Sequence, residues 1–205
     1  MPMNVVTLKN NTPLPVEVSM YVGFESTGRG SVIWRQTYLP PNGPGVLQWD
    51  DSLSVCLADI ADNVFTPFIT KPAEAGSRWT ANTRDGVLTL EEDGRAPVPS
   101  HIVVRNQSGV FVNPGVGVGG EAAFYYRDVL SNTAAQFDIN ALRYFIAATA
   151  LAKPGHTVAG TTMLSDPVPI DFPPLLPAAL VLVAAQGTGF RLTVQYGGIG
   201  APTAG

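Results

Sequence analysis

The sequence predicts an all-β protein, an antiparallel β-sandwich of two packed sheets in a jelly-roll or Greek-key-like order, with at most one short helix. The run Phe190–Tyr196 alternates apolar and polar residues without a break, and Val16–Val22 is a near match close to the other end. A period of two places alternate side chains on opposite faces of a strand. This pattern is typical of antiparallel sheets with one buried and one solvated face.

Glycine and proline support the same fold class. The 205-residue chain contains 21 glycines and 18 prolines, about a fifth of its residues against roughly an eighth on average. They fall between short apolar runs, as turns fall between strands. The Asp-Gly pairs at 85–86 and 93–94 flank the strand predicted at 86–90 and indicate hairpin turns. The predicted strands are 4–9, 16–24, 31–39, 45–49, 53–58, 86–90, 101–105, 109–112, 122–128, 135–139, 156–163, 168–172, 178–185 and 189–196.

Two segments permit a helical interpretation. Residues 140–152 combine alanine with helically spaced apolar side chains, but Tyr144-Phe145-Ile146 equally favours a buried strand. A short helix is also compatible with 59–63. We predict a single sandwich domain over 1–196. The Gly/Ala/Pro-rich tail 197–205 is expected to be disordered unless a neighbouring molecule holds it.

Charge is low, and this limits the classes of partner. Charged residues make up 14% of the chain and the net charge is −4, without a cluster of lysine or arginine. This argues against nucleic-acid binding. The most apolar stretch, 175–185, is interrupted by Pro177 and is too short for membrane insertion. The N-terminal residues lack the pattern of a signal peptide, so we expect a cytoplasmic protein or one exported without a classical signal.

Residues that could carry chemistry are few. His101 and His156 are far apart and lie in no metal-ligand motif, and Cys56 lies in an apolar run, as a buried thiol would. The acidic groups, which we interpret as solvated turns, are Asp50-Asp51, Glu91-Glu92-Asp93 and the pair Asp59 and Asp62. We therefore predict no catalytic residue, no metal site and no cofactor, and we expect the protein not to be an enzyme.

Glycines and aromatic residues each leave two readings open. The run Pro114–Gly120 resembles a phosphate-binding loop, but a strand rather than a helix is predicted after it. A tightly packed strand explains its alternating glycines better. Trp34, Trp49 and Trp79 suit either a core or a sugar-binding platform, and the alternating context of Trp34 and Trp49 favours the core.

A short internal similarity is also present. Asn10-Asn11-Thr12 and Asn106-Gln107-Ser108 each follow one predicted strand and precede another. Two matches of three residues do not establish a duplication. Both triplets have the form of glycosylation sites, a reading that carries little weight in a chain expected to remain in the cytoplasm.

Several segments, taken in order along the chain, resemble the RhiA-like family of small bacterial proteins, which are associated with rhizosphere-induced, quorum-sensing-controlled expression. The segments that carry the resemblance are Trp34–Pro41, Val46–Asp50, Gly86–Gly94, Val116–Gly120, Phe137–Ala147 and Pro169–Pro173. The resemblance implies a cytoplasmic, abundant, non-enzymatic product and a strand at 143–151. It supplies no catalytic motif.

The leading functional hypothesis is therefore a structural β protein that self-associates into an oligomer or a fibre-like assembly. It rests on the low charge, on the lack of a catalytic constellation and on the unpaired edges of an all-β fold. The alternative is a carbohydrate- or surface-binding module, suggested by the aromatic residues and the Asp/Asn-rich turns.

Overall fold

Eighteen strands account for most of the chain in the computed structural model, which describes residues 3–23, 29–171 and 178–196. The strands are β1 (Met3–Asn10), β2 (Val16–Gly23), β3 (Arg29–Ser31), β4 (Ile33–Leu39), β5 (Pro44–Asp50), β6 (Leu53–Ala61), β7 (Val64–Ala73), β8 (Ser77–Arg84), β9 (Val87–Arg95), β10 (His101–Asn106), β11 (Asn113–Val118), β12 (Glu121–Tyr126), β13 (Thr133–Asp138), β14 (Arg143–Ala150), β15 (Thr162–Met163), β16 (Val168–Ile170), β17 (Ala178–Gln186) and β18 (Gly189–Tyr196). Helical geometry within these ranges is confined to two three-residue 3-10 segments, Ile139–Ala141 and Val158–Gly160. The predicted all-β sandwich class is confirmed.

The strands form four sheets that pack as two sandwiches. In the first sandwich, the sheet β18-β17-β1-β5 packs on the sheet β15-β14-β2-β4, and β16 also pairs with β14. In the second sandwich, the sheet β13-β10-β8-β9 packs on the sheet β3-β12-β11-β6-β7. The second sandwich is built mainly from the continuous stretch β6–β13, whereas the first combines the beginning and the end of the chain.

Most neighbouring strands are antiparallel, but each sandwich contains one parallel pair. β1 runs parallel to β17 in the first, and β10 runs parallel to β8 in the second. A parallel pair needs a long connection, and in both cases the two strands are far from a simple hairpin in sequence. The parallel pairs were not predicted, since alternation within one strand carries no information on the direction of its neighbour.

The two parallel pairs belong to a repeated pairing scheme that relates the two sandwiches strand by strand. β10 pairs with β8 and β13 as β1 pairs with β17 and β5. β11 pairs with β6 and β12 as β2 pairs with β14 and β4. The hairpin β8–β9 likewise corresponds to β17–β18. The chain is thus an internal duplication in which the first sandwich is assembled from its two ends.

The asparagine triplets occupy equivalent places in this duplication and form the same network. Asn10 donates from Nδ2 to the carbonyls of Leu14 (2.7 Å) and Pro40 (2.9 Å), and its Oδ1 accepts from the amide and hydroxyl of Thr12. Asn106 donates from Nδ2 to the carbonyls of Val110 (2.7 Å) and Val129 (2.8 Å), and its Oδ1 accepts from the amide and hydroxyl of Ser108. Both asparagines are fully buried. The triplets therefore have a structural role, in which each buried asparagine holds neighbouring loops together by hydrogen bonds.

Aromatic pairs join equivalent strands of the two cores. Trp34 and Trp49 meet edge to face with ring centroids 5.1 Å apart, and Phe124 and Phe137 do the same at 5.4 Å. These pairs join β4 to β5 and β12 to β13, which are equivalent strands. Buried side chains of both sandwiches form one continuous cluster, and two smaller clusters lie around Cys56 and Ile33. The indole Nε1 of Trp34 also donates to the carbonyl of Val118 (2.7 Å), which links the first sandwich to the second.

The structure settles the ambiguous segments and corrects several predicted strands. Residues 143–150 form strand β14, as the family resemblance implied, because paired strands flank it on both sides. The helix suggested at 59–63 is wrong, since β6 continues to Ala61 and a turn with positive φ at Asp62 and Asn63 leads into β7. The strand predicted at 109–112 is a loop with one bridge at Val112, and most of 156–163 is irregular.

Two strands, β7 and β8, were not predicted, because each contains residues that are typical of loops. β7 contains Pro67 and Pro72, which are depleted in strands, but it lies at a sheet edge where proline is tolerated. β8 is rich in polar residues, yet it buries Ser77, Trp79 and Ala81. The predicted tail 197–205 lies outside the described residues, and the single-domain assignment stays a prediction.

The two Asp-Gly pairs differ in outcome. Asp85 and Gly86 form a two-residue turn with φ of 51° and 79° between paired Arg84 and Val87, as predicted. The turn predicted at Asp93-Gly94 is wrong. β9 continues through it with a β-bulge opposite Arg78 and Trp79, and Gly94 adopts a φ of 134°.

Candidate functional site

The histidines do not converge on a common site. His101 lies at the start of β10, with Nε2 3.9 Å from Oδ2 of Asp138. His156 forms a backbone bridge to Val64 and accepts from the amide of Ile33. Within the described residues, no group of three or more His, Cys, Asp or Glu side chains is placed to hold a metal ion.

The thiol of Cys56 is buried beneath the glycine-rich strand. Burial raises its pKa to about 12, so that the nucleophilic thiolate is not populated near neutral pH. A Cβ atom at Gly115 would lie 2.9 Å from the sulfur of Cys56 and 2.7 Å from the ring of Phe65. The glycines of β11 thus allow β6, β7 and β12 to pack closely around this strand. They lie within a strand and open no phosphate-binding loop.

The carboxylates singled out in the sequence support turns and ion pairs. Asp50 accepts from the amide and hydroxyl of Ser52, and these hydrogen bonds lower its pKa. Burial alone would raise the pKa of Asp93, but hydrogen bonds from Arg78 and Thr80 outweigh it and lower the pKa. Glu91 pairs with Arg84 at 3.0 Å. Asp62 lies in the turn between β6 and β7, and Asp59 is an exposed residue of β6.

The three tryptophans belong to the core. Trp34, Trp49 and Trp79 are at most 5% exposed, so their faces cannot serve as a platform on which a sugar stacks. The preference for the core at Trp34 and Trp49 is confirmed. The exposed aromatic side chains among the described residues are Tyr38, Phe68, Phe111 and Tyr196, which lie on different strands and loops.

Two surface clefts lined by described residues lack a catalytic arrangement. One cleft, of about 730 Å³, is bordered by Asp51, Glu74, Glu92 and Arg95. A smaller apolar cleft of about 350 Å³ lies between Phe65 and Pro154. Neither brings a nucleophile together with a base. The exposed edges of the sheets are the remaining candidate for a functional surface.

Most sheet edges carry a feature that hinders pairing with another chain. β3, β15 and β16 have at most three residues, and β7 contains two prolines. In β13, the carbonyl of Gln136 accepts from Arg29 (3.2 Å) and Tyr126 (3.0 Å). The start of β4 is covered by backbone hydrogen bonds between Ile33 and residues 155–156. β5 begins at Pro44, and its other end lies against Gly119, whose amide donates to the carbonyl of Ser52 (2.8 Å). Short length, proline and covering groups are recognised ways of protecting an edge.

β18 is the edge with the longest run that lacks proline and carries only one charge, that of Arg191. It presents Thr193, Val194 and Gln195 after Arg191, and eight residues of it pair with β17 on the inner side. On the outer side, the amide of Phe190 donates to the carbonyl of Leu164 (2.8 Å). Within the part of the chain that the structure describes, no strand pairs with the outer edge beyond this bond.

β9, the strand of the second sandwich that is equivalent to β18, has a protected edge. Counted from the turn of each hairpin, Leu90 in β9 and Leu192 in β18 occupy equivalent positions, and both are buried. The next two positions are Glu91 and Glu92 in β9 but Thr193 and Val194 in β18. Asp93 then bulges outward and binds Arg78 and Thr80. One edge of the duplicated hairpin is thus acidic and bulged, whereas the other is regular and carries a single charge, that of Arg191.

No helix among the described residues is long and apolar enough to cross a membrane. Comparisons of the chain with protein-family models, with curated proteins and with solved structures found no match.

Proposed function

We propose that the protein is a non-enzymatic β-sandwich protein that self-associates through a sheet edge. The observation that carries the proposal is the contrast between β18 and β9. An exposed edge strand offers a row of N–H and C=O groups that can pair with another chain. The acidic residues of β9 oppose such pairing, while the neutral residues of β18 leave it favourable.

The other sequence-based hypotheses are part of the same proposal. The resemblance to the RhiA-like family and a cytoplasmic location are compatible with a non-enzymatic protein that forms assemblies, and both stay predictions. The carbohydrate-binding alternative loses its main support because the tryptophans are buried.

The test is the molar mass of the purified full-length chain in solution. The monomer mass is 21.6 kDa. We expect light scattering coupled to size-exclusion chromatography to give a mass that rises above this value as the loading concentration increases from about 1 to 200 µM. Edges of this size suit affinities at the weak end of specific interfaces. A mass of one protomer over the whole range would contradict the proposal.

A further inference from the structure

We infer that the association is a closed two-fold dimer, in which β18 of one chain pairs antiparallel with β18 of a second copy. This inference rests on the proposed self-association and names its partner, its strand and its symmetry. Such pairing would extend the sheet β18-β17-β1-β5 into a continuous sheet of eight strands.

The available backbone groups lie in the second half of β18. The two-residue turn makes Gln186 and Gly189 a hydrogen-bonded pair, so the N–H and C=O groups of Gly189 point towards β17. From Gly189 onwards, the backbone groups of successive residues point alternately away from β17 and towards it. Phe190, Leu192, Val194 and Tyr196 therefore direct their N–H and C=O groups outward. The bond from Phe190 to Leu164 agrees with this alternation. The pairing stretch thus begins at about Leu192.

Protection of the other edges determines the symmetry. Pairing of β18 with a different edge would be heterologous and would build a ring or an open fibre. It would require a second suitable edge. β5 carries no charge or proline between Gly45 and Trp49, but it begins at Pro44 and its far end lies against Gly119, while the remaining described edges are short, acidic, proline-containing or covered. Pairing of β18 with itself needs only one open edge and closes at two copies.

The single charge of the strand determines the direction. Arg191 is the only ionisable group between Gly189 and Gln195. An in-register parallel pair would place the two arginines side by side, which is unfavourable. An antiparallel pair centred on Val194 joins the outward groups of Leu192 and Tyr196 and those of Val194 and its copy. The two arginines are then separated by six residues, about 20 Å along the strand.

The experiment transfers the acidic sequence of β9 to β18. In the variant Thr193→Glu/Val194→Glu, both substitutions introduce the residue found at the equivalent position of β9. Thr193 is exposed, whereas Val194 is half-buried and packs against the core. The matched control is Ala134→Glu/Gln136→Glu on β13, an exposed edge that Arg29 and Tyr126 already cover. Each variant adds two negative charges, so general charge repulsion is the same in both.

We expect sedimentation velocity to show a monomer–dimer equilibrium for the parent and the control, and at least about a 100-fold increase of the dissociation constant for the β18 variant. Circular dichroism and thermal unfolding of each variant show whether the sandwich is retained. If the β18 variant misfolds, Thr193→Glu alone is used.

Dimerisation that persists in a folded β18 variant, or growth of the parent beyond the dimer, would overturn the inference while leaving self-association intact. A monomeric parent would remove both.

Discussion

At the residue scale, the two buried asparagines carry the most information. Asn10 and Asn106 were visible in the sequence as a pair of short triplets, but three residues were too few to distinguish duplication from chance. The hydrogen bonds make this distinction, because the asparagine amide donates to the carbonyls of equivalent loops in both sandwiches. Thr12 and Ser108 differ in type, yet each supplies the same hydroxyl. The duplication is therefore conserved in chemistry more than in sequence.

We predict that Asn10→Ala and Asn106→Ala each lower the free energy of unfolding by about 2–4 kcal/mol, because buried carbonyl and amide groups lose their partners. Urea denaturation followed by circular dichroism measures the loss. The matched controls are Asn11→Ala and Gln107→Ala, exposed neighbours whose truncation should change stability by less than about 0.5 kcal/mol. A loss confined to one of the two asparagines would show that the loops are not energetically equivalent.

At the element scale, strand existence was easier to predict than strand pairing. β1, β2, β10, β17 and β18 were located nearly correctly, because each combines apolar alternation or an apolar run with flanking turn residues. β7 and β8 were missed because their edge prolines and polar residues resemble a loop. The β18 edge could not be identified from sequence, since its openness depends on which strands lie beside it. The comparison with β9 requires the register of both hairpins.

The bulge of β9 has a measurable pH dependence. Hydrogen bonds from Arg78 and Thr80 lower the pKa of Asp93 in the folded state. The stabilisation from this carboxylate is therefore fully present above the unfolded pKa near 4, and is lost as the pH falls through the lowered folded-state pKa.

We predict that Asp93→Asn costs about 0.5–1 kcal/mol at pH 7, a small value because about a third of the Asp93 side chain is exposed. The difference from the parent should shrink as the pH falls from 4 towards 2. Urea denaturation at several pH values measures it, with Asp59→Asn in the exposed part of β6 as control. A difference that stays constant down to pH 2 would contradict the proposed role of the ionised carboxylate.

At the scale of the whole molecule, the two sandwiches share one buried cluster, and Trp34 of the first donates to Val118 of the second. We therefore expect them to unfold together. In Trp79→Phe, the remaining tryptophans report on the first sandwich and on its contact with Val118, while far-ultraviolet circular dichroism reports on both sandwiches. The two signals should give the same denaturant midpoint. Separate midpoints, or a calorimetric enthalpy above the van't Hoff enthalpy, would indicate two folding units.

The composition predicted the class of the molecule but could not predict the number of sandwiches. Frequent glycine and proline with short apolar runs indicate an all-β protein, whichever way its sheets are divided. The division depends on contacts such as those of β1 with β17 and β2 with β14, which join the two ends of the chain. Alternation within a strand does not reveal them.

The order in which strands are used also has a consequence for synthesis on the ribosome. Strands β6–β13 are consecutive and can pair as soon as they emerge. β1 and β2 must wait for β17 and β14, which are translated more than a hundred residues later. Domains generally form as the chain is made. During synthesis, the second sandwich would therefore form first, while β1 and β2 remain unpaired with β17 and β14 until those strands leave the ribosome.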